Sequence, residues 1–148
     1  MNKKNTLLLF LCLFCLWAVA QEKKPVKIAC VGNSITYGSG IKNQFQNSYP
    51  GLLSQLLGEG YDVRNFGISA RVMLNKGDHP YMHEQKFRDL LAFQPDIVTI
   101  KLGTNDSKPW NWHYGKDFGK DLTEMLDILQ DLPSKPKIYL CFPVPAVK

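Results

Sequence analysis

Four segments with the apolar composition or the alternation of β-strands recur along the chain, and each is followed by a glycine or a proline. They cover residues 26–31, 61–66, 97–102 and 138–142. The intervals carry apolar residues at helical spacing, over 48–57, 82–93 and 117–132. This alternation of strands and helices predicts a parallel sheet with helices on both faces. In such sheets, ligands bind outside the carboxyl ends of the strands.

The first twenty residues differ from the rest of the chain. Lys3 and Lys4 precede an apolar run from Leu7 to Ala20, which ends in Ala-Val-Ala. This order is typical of a secretory signal peptide cleaved after residue 20. The alternative is a membrane anchor, but the run is shorter than the ~20 residues that span a bilayer. We therefore expect one domain over residues 21–148, secreted or periplasmic, without stable membrane association after cleavage.

Charge argues against one class of partner. The net charge is +5 over 148 residues, and the basic side chains are scattered apart from a short cluster at residues 23–24. Nucleic-acid-binding proteins instead concentrate Lys and Arg in a patch or stripe. We expect no nucleic-acid partner, no metal site and no cofactor. The sequence assigns no oligomeric state.

Three strand ends carry residues that could form a nucleophilic site. Ser34 follows the first strand on a tight turn, where it is placed either to act as a nucleophile or to cap a turn. Gly67 follows the second strand, where it either lets the backbone approach a ligand, because it has no side chain, or simply ends the strand. Asn105 follows the third strand; its amide can face a developing negative charge or form an Asx turn.

Together these segments resemble the sequence blocks of the SGNH (GDSL-like) hydrolase superfamily. Gly32-Asn-Ser-Ile-Thr36 is similar to the Gly-Asp-Ser-Leu block with Asn33 in place of Asp, and Gly67 matches the glycine of the second block. Gly103-Thr-Asn-Asp106 matches the Gly-x-Asn-Asp block. The resemblance implies a flavodoxin-like three-layer α/β/α fold and a serine esterase. Ser34 would be its nucleophile, and the Ser34 and Gly67 N–H groups and the Asn105 amide would hold the oxyanion.

The fourth block of that family, Asp-x-x-His, supplies the general base and the carboxylate that orients it. None of His79, His83 and His113 has an Asp three positions earlier. A serine hydroxyl without a base is a weak nucleophile. We therefore expect a domain that is incomplete at its C-terminus, truncated before the fifth strand and last helix, and a chain that is weakly active or inactive as given.

The cysteines that follow the predicted signal peptide are Cys30 and Cys141. The family's sheet order, 2-1-3-4-5, places the third strand between the strands that carry them. Their Cα atoms would then be roughly 9–10 Å apart, two strand spacings, whereas a disulfide needs about 7 Å or less. We therefore predict two free, buried thiols.

The resemblance further implies a carbohydrate O-acetylesterase, of the kind that acts on sialic acids or xylan. Its substrate would be a small-molecule or glycan acyl ester. The two tryptophans after Asn105 are expected either to stack on a sugar ring or to pack on the third helix. Asp106 is expected mainly to hold its loop. The predicted substrate contacts are Asn33, Tyr49, His79, Asp106, Trp110 and Trp112.

Two other functions fit the sequence. The first is a non-catalytic carbohydrate-binding or decayed hydrolase domain, which would keep the pocket and the tryptophans but lack the base. The second is a generic lipase or thioesterase. The chain has no long apolar patch outside the predicted signal peptide, which disfavours a lipase that acts at a lipid interface.

Overall fold

A computed structural model describes residues 24–143 as a four-stranded sheet with helices. The strands are β1 (Val26–Gly32), β2 (Tyr61–Gly67), β3 (Ile97–Lys101) and β4 (Lys137–Leu140). All neighbouring pairs are parallel, and their order is β2-β1-β3-β4. The predicted parallel sheet is confirmed, including the position of β3 between β1 and β4. The predicted signal peptide, residues 1–20, lies outside the described residues.

Three of the helices were predicted from the sequence. They are α3 (Tyr49–Leu57), α4 (Gln85–Phe93) and α6 (Phe118–Gln130). Three one-turn helices were not predicted, namely α1 (Ser34–Tyr37), α2 (Gln44–Asn47) and α5 (Pro109–Trp112). Four residues are too few to show a helical period. Short 3₁₀ turns at Tyr81–His83 and Gly115–Asp117 complete the connections.

The sheet separates two helical layers. Alternate residues of the central strands, such as Ala29 and Val98, belong to a buried cluster that includes side chains of α4 and α6. The intervening residue Thr99 points to the opposite face, because side chains alternate along a strand. There its hydroxyl lies 3.2 Å from that of Tyr49 on α3. The arrangement is the predicted three-layer α/β/α fold.

The prediction that both cysteines are buried is wrong for Cys141, which follows the outer strand β4. Cys30 and Cys141 are both free, as expected, and Cys30 is fully buried, but Cys141 is exposed. The reason is its position just after β4, where Tyr139 and Leu140 are also about half exposed. Within residues 24–143, no further strand pairs with the outer edge of β4.

Two features of the described part of the chain bear on its environment and on metal binding. None of the helices in residues 24–143 is both long enough and apolar enough to cross a membrane. Over the same residues, no three His, Cys, Asp or Glu side chains lie together in an arrangement suited to a metal ion.

Candidate active site

Ser34 begins α1 immediately beyond the carboxyl end of β1 and is half-buried. The turn depends on Gly32, because a Cβ atom there would lie 2.1 Å from Thr36 Oγ1 and 2.8 Å from the Lys101 carbonyl oxygen. The Ser34 carbonyl accepts the N–H groups of Gly38 and Ser39. Within residues 24–143, neither Ser34 Oγ nor the Ser34 N–H has a hydrogen-bond partner. Both groups are therefore free to meet a ligand.

The side chain of Asn33 stabilises the start of α1 and is not placed for the predicted substrate contact. Its side chain is only 1% exposed, and Oδ1 accepts the N–H of Ile35 at 3.0 Å. This is the N-cap interaction that satisfies one of the free N–H groups at a helix start. Asn33 therefore fixes the turn that presents Ser34, and its burial keeps it from a substrate.

Gly67 lies beside Gly32 in the sheet, at the carboxyl end of β2. A Cβ atom at position 67 would be 2.3 Å from Tyr37 N and 2.8 Å from the Thr36 carbonyl carbon. Only glycine therefore lets α1 pack this close to β2. The sequence prediction placed Gly67 beside the nucleophile, and the structure brings it against the helix that Ser34 begins.

Asn65, which the sequence analysis did not single out, joins these two segments. Its Oδ1 accepts the Gly67 N–H at 2.9 Å. Its Nδ2 donates to the carbonyl oxygens of Thr36 at 2.9 Å and Tyr37 at 3.3 Å. One amide thus holds both α1 and the end of β2. The available sequence signal was an Asn two residues before the strand-ending glycine.

Asn105 lies in the loop after β3, and its amide contacts the loop after β2. Nδ2 donates to the carbonyl oxygen of Arg71 at 3.0 Å. An amide nitrogen carries two hydrogens, so one donor remains for a ligand. The two loops that follow β2 and β3 are thereby joined at the same edge of the sheet as Ser34.

The carboxylate of Asp106 also joins the loops that follow β2 and β3. Its side chain is fully buried, and Oδ1 accepts the N–H groups of Met73 at 2.8 Å and Leu74 at 2.9 Å. Burial raises the pKa of this carboxyl, although the backbone N–H groups oppose that rise. Asp106 holds its loop, as expected, but its burial is inconsistent with the predicted direct contact to substrate.

A second buried amide, Asn111, organises the outer part of this loop pair. Its Nδ2 donates to the Asn105 carbonyl oxygen at 3.0 Å and to Asp78 Oδ1 at 3.1 Å. Its Oδ1 accepts the Asp78 N–H at 2.9 Å. Sequence reasoning missed Asn111 because a polar residue between two tryptophans gives no sign of being 1% exposed.

The two tryptophans have different surroundings. Trp110 is 61% exposed, and its Nε1 donates to Asp78 Oδ2 at 3.1 Å. Desolvation would raise the pKa of the Asp78 carboxyl, but hydrogen bonds from Trp110 and Asn111 hold it below its usual value. Trp112 packs on Phe118 of α6, with ring centroids 6.2 Å apart. Both rings keep exposed surface, since Trp112 is 55% exposed, and Trp112 also packs on the third long helix.

Tyr49 does not reach the carboxyl edge of the sheet, contrary to the prediction. Its hydroxyl lies against Thr99, in the middle of β3, and burial raises its pKa. The cause is the position of α3, which packs along the sheet face and turns this ring inward. Tyr49 is half-buried, and its hydroxyl has that of Thr99 as a partner.

The histidines do not form a catalytic pair with Ser34. His79, His83 and His113 are all exposed, and no imidazole nitrogen of the three is hydrogen-bonded within residues 24–143. His113 rests edge-on against Tyr114 at 5.1 Å between centroids. His79 lies in the loop that Asp78 joins to Asn111, and no hydrogen bond among the described residues orients its ring as a base.

A cavity of about 560 Å³ opens beside Gly67, between α1 and α4. Arg71 and Glu84 line it and are paired at 2.7 Å. Lys86 also lines it and donates to the Gly67 carbonyl oxygen at 3.3 Å. The cavity walls thus carry charged side chains that already have partners within the chain.

Known proteins match this chain in sequence and in fold. An acetylxylan esterase from Xylanibacter ruminicola is 50% identical over 146 residues, covering 87% of this chain and 30% of that protein. Est24, a carbohydrate acetylesterase from Sinorhizobium meliloti, superposes with a TM-score of 0.61 at 21% identity, covering 78% of this chain and 62% of that structure.

The SGNH-hydrolase family esterase AlinE4 superposes with a TM-score of 0.58 at 23% identity, covering 81% of this chain and 60% of its own. The chain therefore spans less than a third of the sequence relative and under two thirds of these structures. At such identities the structural likeness establishes the fold. The sequence profile of the GDSL-like lipase/acylhydrolase family matches residues 30–148. The chain thus belongs to the GDSL-like lipase/acylhydrolase family.

Proposed function

We propose that this protein removes acetyl groups from carbohydrate esters through an acyl-enzyme formed on Ser34. The observation that carries the proposal is the common position of three segments. Ser34, Gly67 and Asn105 follow three adjacent parallel strands, and Asn65 and Arg71 tie their loops together. The acetylxylan esterase relative supports an acetylated glycan as the substrate.

In the first step, Ser34 Oγ attacks the ester carbonyl carbon and loses its proton to a base. The carbonyl oxygen becomes an oxyanion, which needs donors aimed at it. The Ser34 N–H and the second Asn105 amide hydrogen are free for this role. The Gly67 N–H donates to Asn65 Oδ1 in the free protein. It contributes to the oxyanion site either by donating to both oxygens at once or by donating to the oxyanion instead of Asn65.

In the second step, the tetrahedral intermediate collapses and expels the sugar hydroxyl, which takes a proton from the conjugate acid of the base. Water then attacks the acetyl-Ser34 ester and releases acetate. The same donors stabilise the second oxyanion, so a single site serves both halves of the reaction. No redox partner is needed, since the reaction exchanges one acyl acceptor for another.

The proposal places the general base outside residues 24–143. His79, His83 and His113 are exposed and have no carboxylate partner that orients them. In the family, an Asp-x-x-His block performs this function, and this sequence has none. Without the base, acylation is slow, and deacylation is slowed in the same way because it also needs a base to activate water.

Export forms part of the same proposal. Residues 1–20 direct the protein out of the cytoplasm and are then removed, which leaves the hydrolase domain from residue 21 onwards. N-terminal sequencing of the mature protein tests this step: a first residue other than Gln21 contradicts the proposed cleavage site.

The decisive experiment traps the acyl-enzyme. The protein is incubated with an acetylated xylo-oligosaccharide, with and without imidazole as an external base, and then digested for peptide mass spectrometry. We expect acetyl on Ser34, with faster acetate release when imidazole is present. Ser34→Ala should abolish both signals, whereas Ser39→Ala, a nearby exposed serine bonded to Ser69 at 2.6 Å, should retain them. Equal acetate release by wild type and Ser34→Ala would refute the mechanism.

A non-catalytic carbohydrate-binding domain is the second candidate. The unoriented histidines favour it, as does the exposed face of Trp110. Such a domain would bind acetylated oligosaccharides with similar affinity whether or not Ser34 is present. It would also leave Ser34 unacetylated with imidazole added, so the trapping experiment separates the two functions.

A further inference from the structure

A groove runs along the outer edge of β2, between α3 and α4. Its volume is about 930 Å³, and Ser34 is not part of its lining. We refer to it as the β2 groove. The lining residues used below are Tyr37, Gln44, Phe45, Gln46, Gln55 and Lys86.

Phe45 is the most unusual residue of the β2 groove. It lies on the one-turn helix α2, and 93% of its surface is exposed. Tyr37 adds a second ring that is 39% exposed. Phe45 therefore presents an aromatic face at the groove that a ligand can reach. Flat aromatic faces suit the apolar faces of sugar rings.

Amide side chains line the groove beside these rings. Gln55 Nε2 donates to the Gln46 carbonyl oxygen at 2.8 Å, and Gln44 Nε2 donates to the Tyr37 carbonyl oxygen. These bonds fix both amides by their nitrogen ends. Their Oε1 atoms have no partner within residues 24–143. Oriented carbonyl acceptors of this kind are complementary to the hydroxyl groups of a sugar.

The charges along the groove are already engaged. Arg64 and Asp62 form a two-pronged pair at 2.8 and 3.1 Å. Lys86 donates to the Gly67 carbonyl oxygen and lies 5.8 Å from the centre of the Tyr37 ring. Arg64 and Asp62 neutralise each other, so Lys86 adds a single positive charge to the groove. The lining thus has little net charge, which suits a ligand that carries none.

The β2 groove adjoins the smaller cavity beside Gly67. Tyr37 and Lys86 line both this groove and the smaller cavity that contains Gly67. Tyr37 also ends the helix that Ser34 begins. A linear ligand in the groove would thus extend towards the carboxyl edge of the sheet, where the ester is cleaved.

We infer that the β2 groove binds neutral sugar units of a glycan chain, at a distance from the acetyl group that is presented to Ser34. This inference rests on the proposed function, and it names the part of the substrate that the catalytic residues do not touch. Phe45 supplies the stacking face, and the amides of Gln44 and Gln55 accept hydrogen bonds from sugar hydroxyls.

Two other occupants of this edge are possible in principle. A peptide strand can pair with an exposed sheet edge, and a second copy of the chain can cover an exposed ring. Lys86 already occupies the Gly67 carbonyl oxygen at the end of β2, which removes one acceptor from strand pairing. A second copy that covered the groove with an apolar face would also leave the free Oε1 atoms of Gln44 and Gln55 without water as a hydrogen-bond partner.

The test measures binding of unacetylated xylohexaose to the purified protein by isothermal titration calorimetry. Loss of one stacked ring is expected to weaken binding about three- to tenfold in Phe45→Ala. Gln55→Ala should weaken it to a smaller extent. Phe142→Ala is the matched control, since Phe142 is 95% exposed beyond β4 and outside the groove; it should bind as wild type does. Thermal unfolding of each variant verifies the fold.

Several results would overturn the inference. They are no binding of xylohexaose, equal affinity in wild type and Phe45→Ala, or a wild-type dimer that Phe45→Ala dissociates in sedimentation velocity. Acetylation of Ser34 by a small aryl acetate tests the esterase mechanism independently of glycan binding. Phe45→Ala should leave the rate of this acetylation unchanged. Phe45-dependent binding without any Ser34 acetylation would refute the esterase mechanism while the groove assignment stands.

Discussion

The side-chain oxygen of Asn65 accepts a hydrogen bond from the backbone N–H of Gly67 at 2.9 Å. The Gly67 N–H is also one of the proposed oxyanion donors. The opposite end of the same amide binds the carbonyl oxygen of Thr36, two residues after Ser34. Asn65 therefore sets the distance between the nucleophile's helix and the glycine at the end of β2.

Replacement of Asn65 by Ala should lower both stability and the rate of Ser34 acylation. The change leaves the Gly67 N–H and the Thr36 carbonyl without their partner, at a cost of about 1–3 kcal/mol in the free energy of unfolding. Chemical denaturation and the acetyl-Ser34 trapping rate measure the two effects. Asn47→Ala is the control, because Asn47 donates to Lys42 on the exposed surface. Faster acylation in Asn65→Ala would mean that Asn65 competes with the oxyanion.

Asn105→Ala should slow Ser34 acylation by about 10²–10³-fold, the usual effect of removing one oxyanion donor. Binding of unacetylated oligosaccharide should change little, since no oxyanion forms in that complex. Asn75→Ala serves as the control, because Asn75 lies in the facing loop and its amide donates to exposed Glu124. Similar acylation rates in the two variants would exclude Asn105 from the oxyanion site.

Much of the sheet was predictable from the sequence. Strand segments such as 26–31 and 97–102 are apolar and β-branched, and glycines end them, so their parallel arrangement follows from the intervening helical patterns. The positions of Ser34, Gly67 and Asn105 follow as well, because the carboxyl ends of parallel strands lie at one edge. These inferences depend on local patterns that a single sequence displays.

The orientation of individual polar side chains was not predictable. Asn33 and Asp106 are next to the site in sequence, yet both turn inward to bind backbone N–H groups. Asn65 and Asn111 look unremarkable in sequence, yet they connect loops that are distant along the chain. Such roles depend on which backbone groups the fold leaves unpaired, and this information appears only in three dimensions.

Asp106 should give the protein a measurable pH dependence. Burial raises the pKa of its carboxyl above 3.8 in the folded state. The folded state therefore binds the proton more tightly than the unfolded state does. This stabilisation is fully present below the unfolded pKa and is lost as pH rises through the folded pKa. Asp106→Asn keeps an acceptor for Met73 and Leu74 without the charge.

The stability of Asp106→Asn relative to wild type should therefore be greatest at neutral pH and should decline as pH falls through the folded pKa of Asp106. Asp106→Ala should instead lose about 2–4 kcal/mol, since two buried N–H groups lose their acceptor. Urea denaturation at a series of pH values measures both variants. A difference between Asp106→Asn and wild type that is constant across this range would contradict the raised pKa.

The two described cysteines should react with a thiol reagent at very different rates. Cys141 is exposed beyond β4, whereas Cys30 is fully buried between β2 and β3, and burial raises the pKa of its thiol. Both burial and a smaller thiolate fraction slow the reaction of Cys30. Under native conditions, Cys141→Ser should remove a fast phase, and Cys30→Ser should remove a phase that appears only on unfolding. Equal native reactivity of the two thiols would show that β1 is not held in the centre of the sheet.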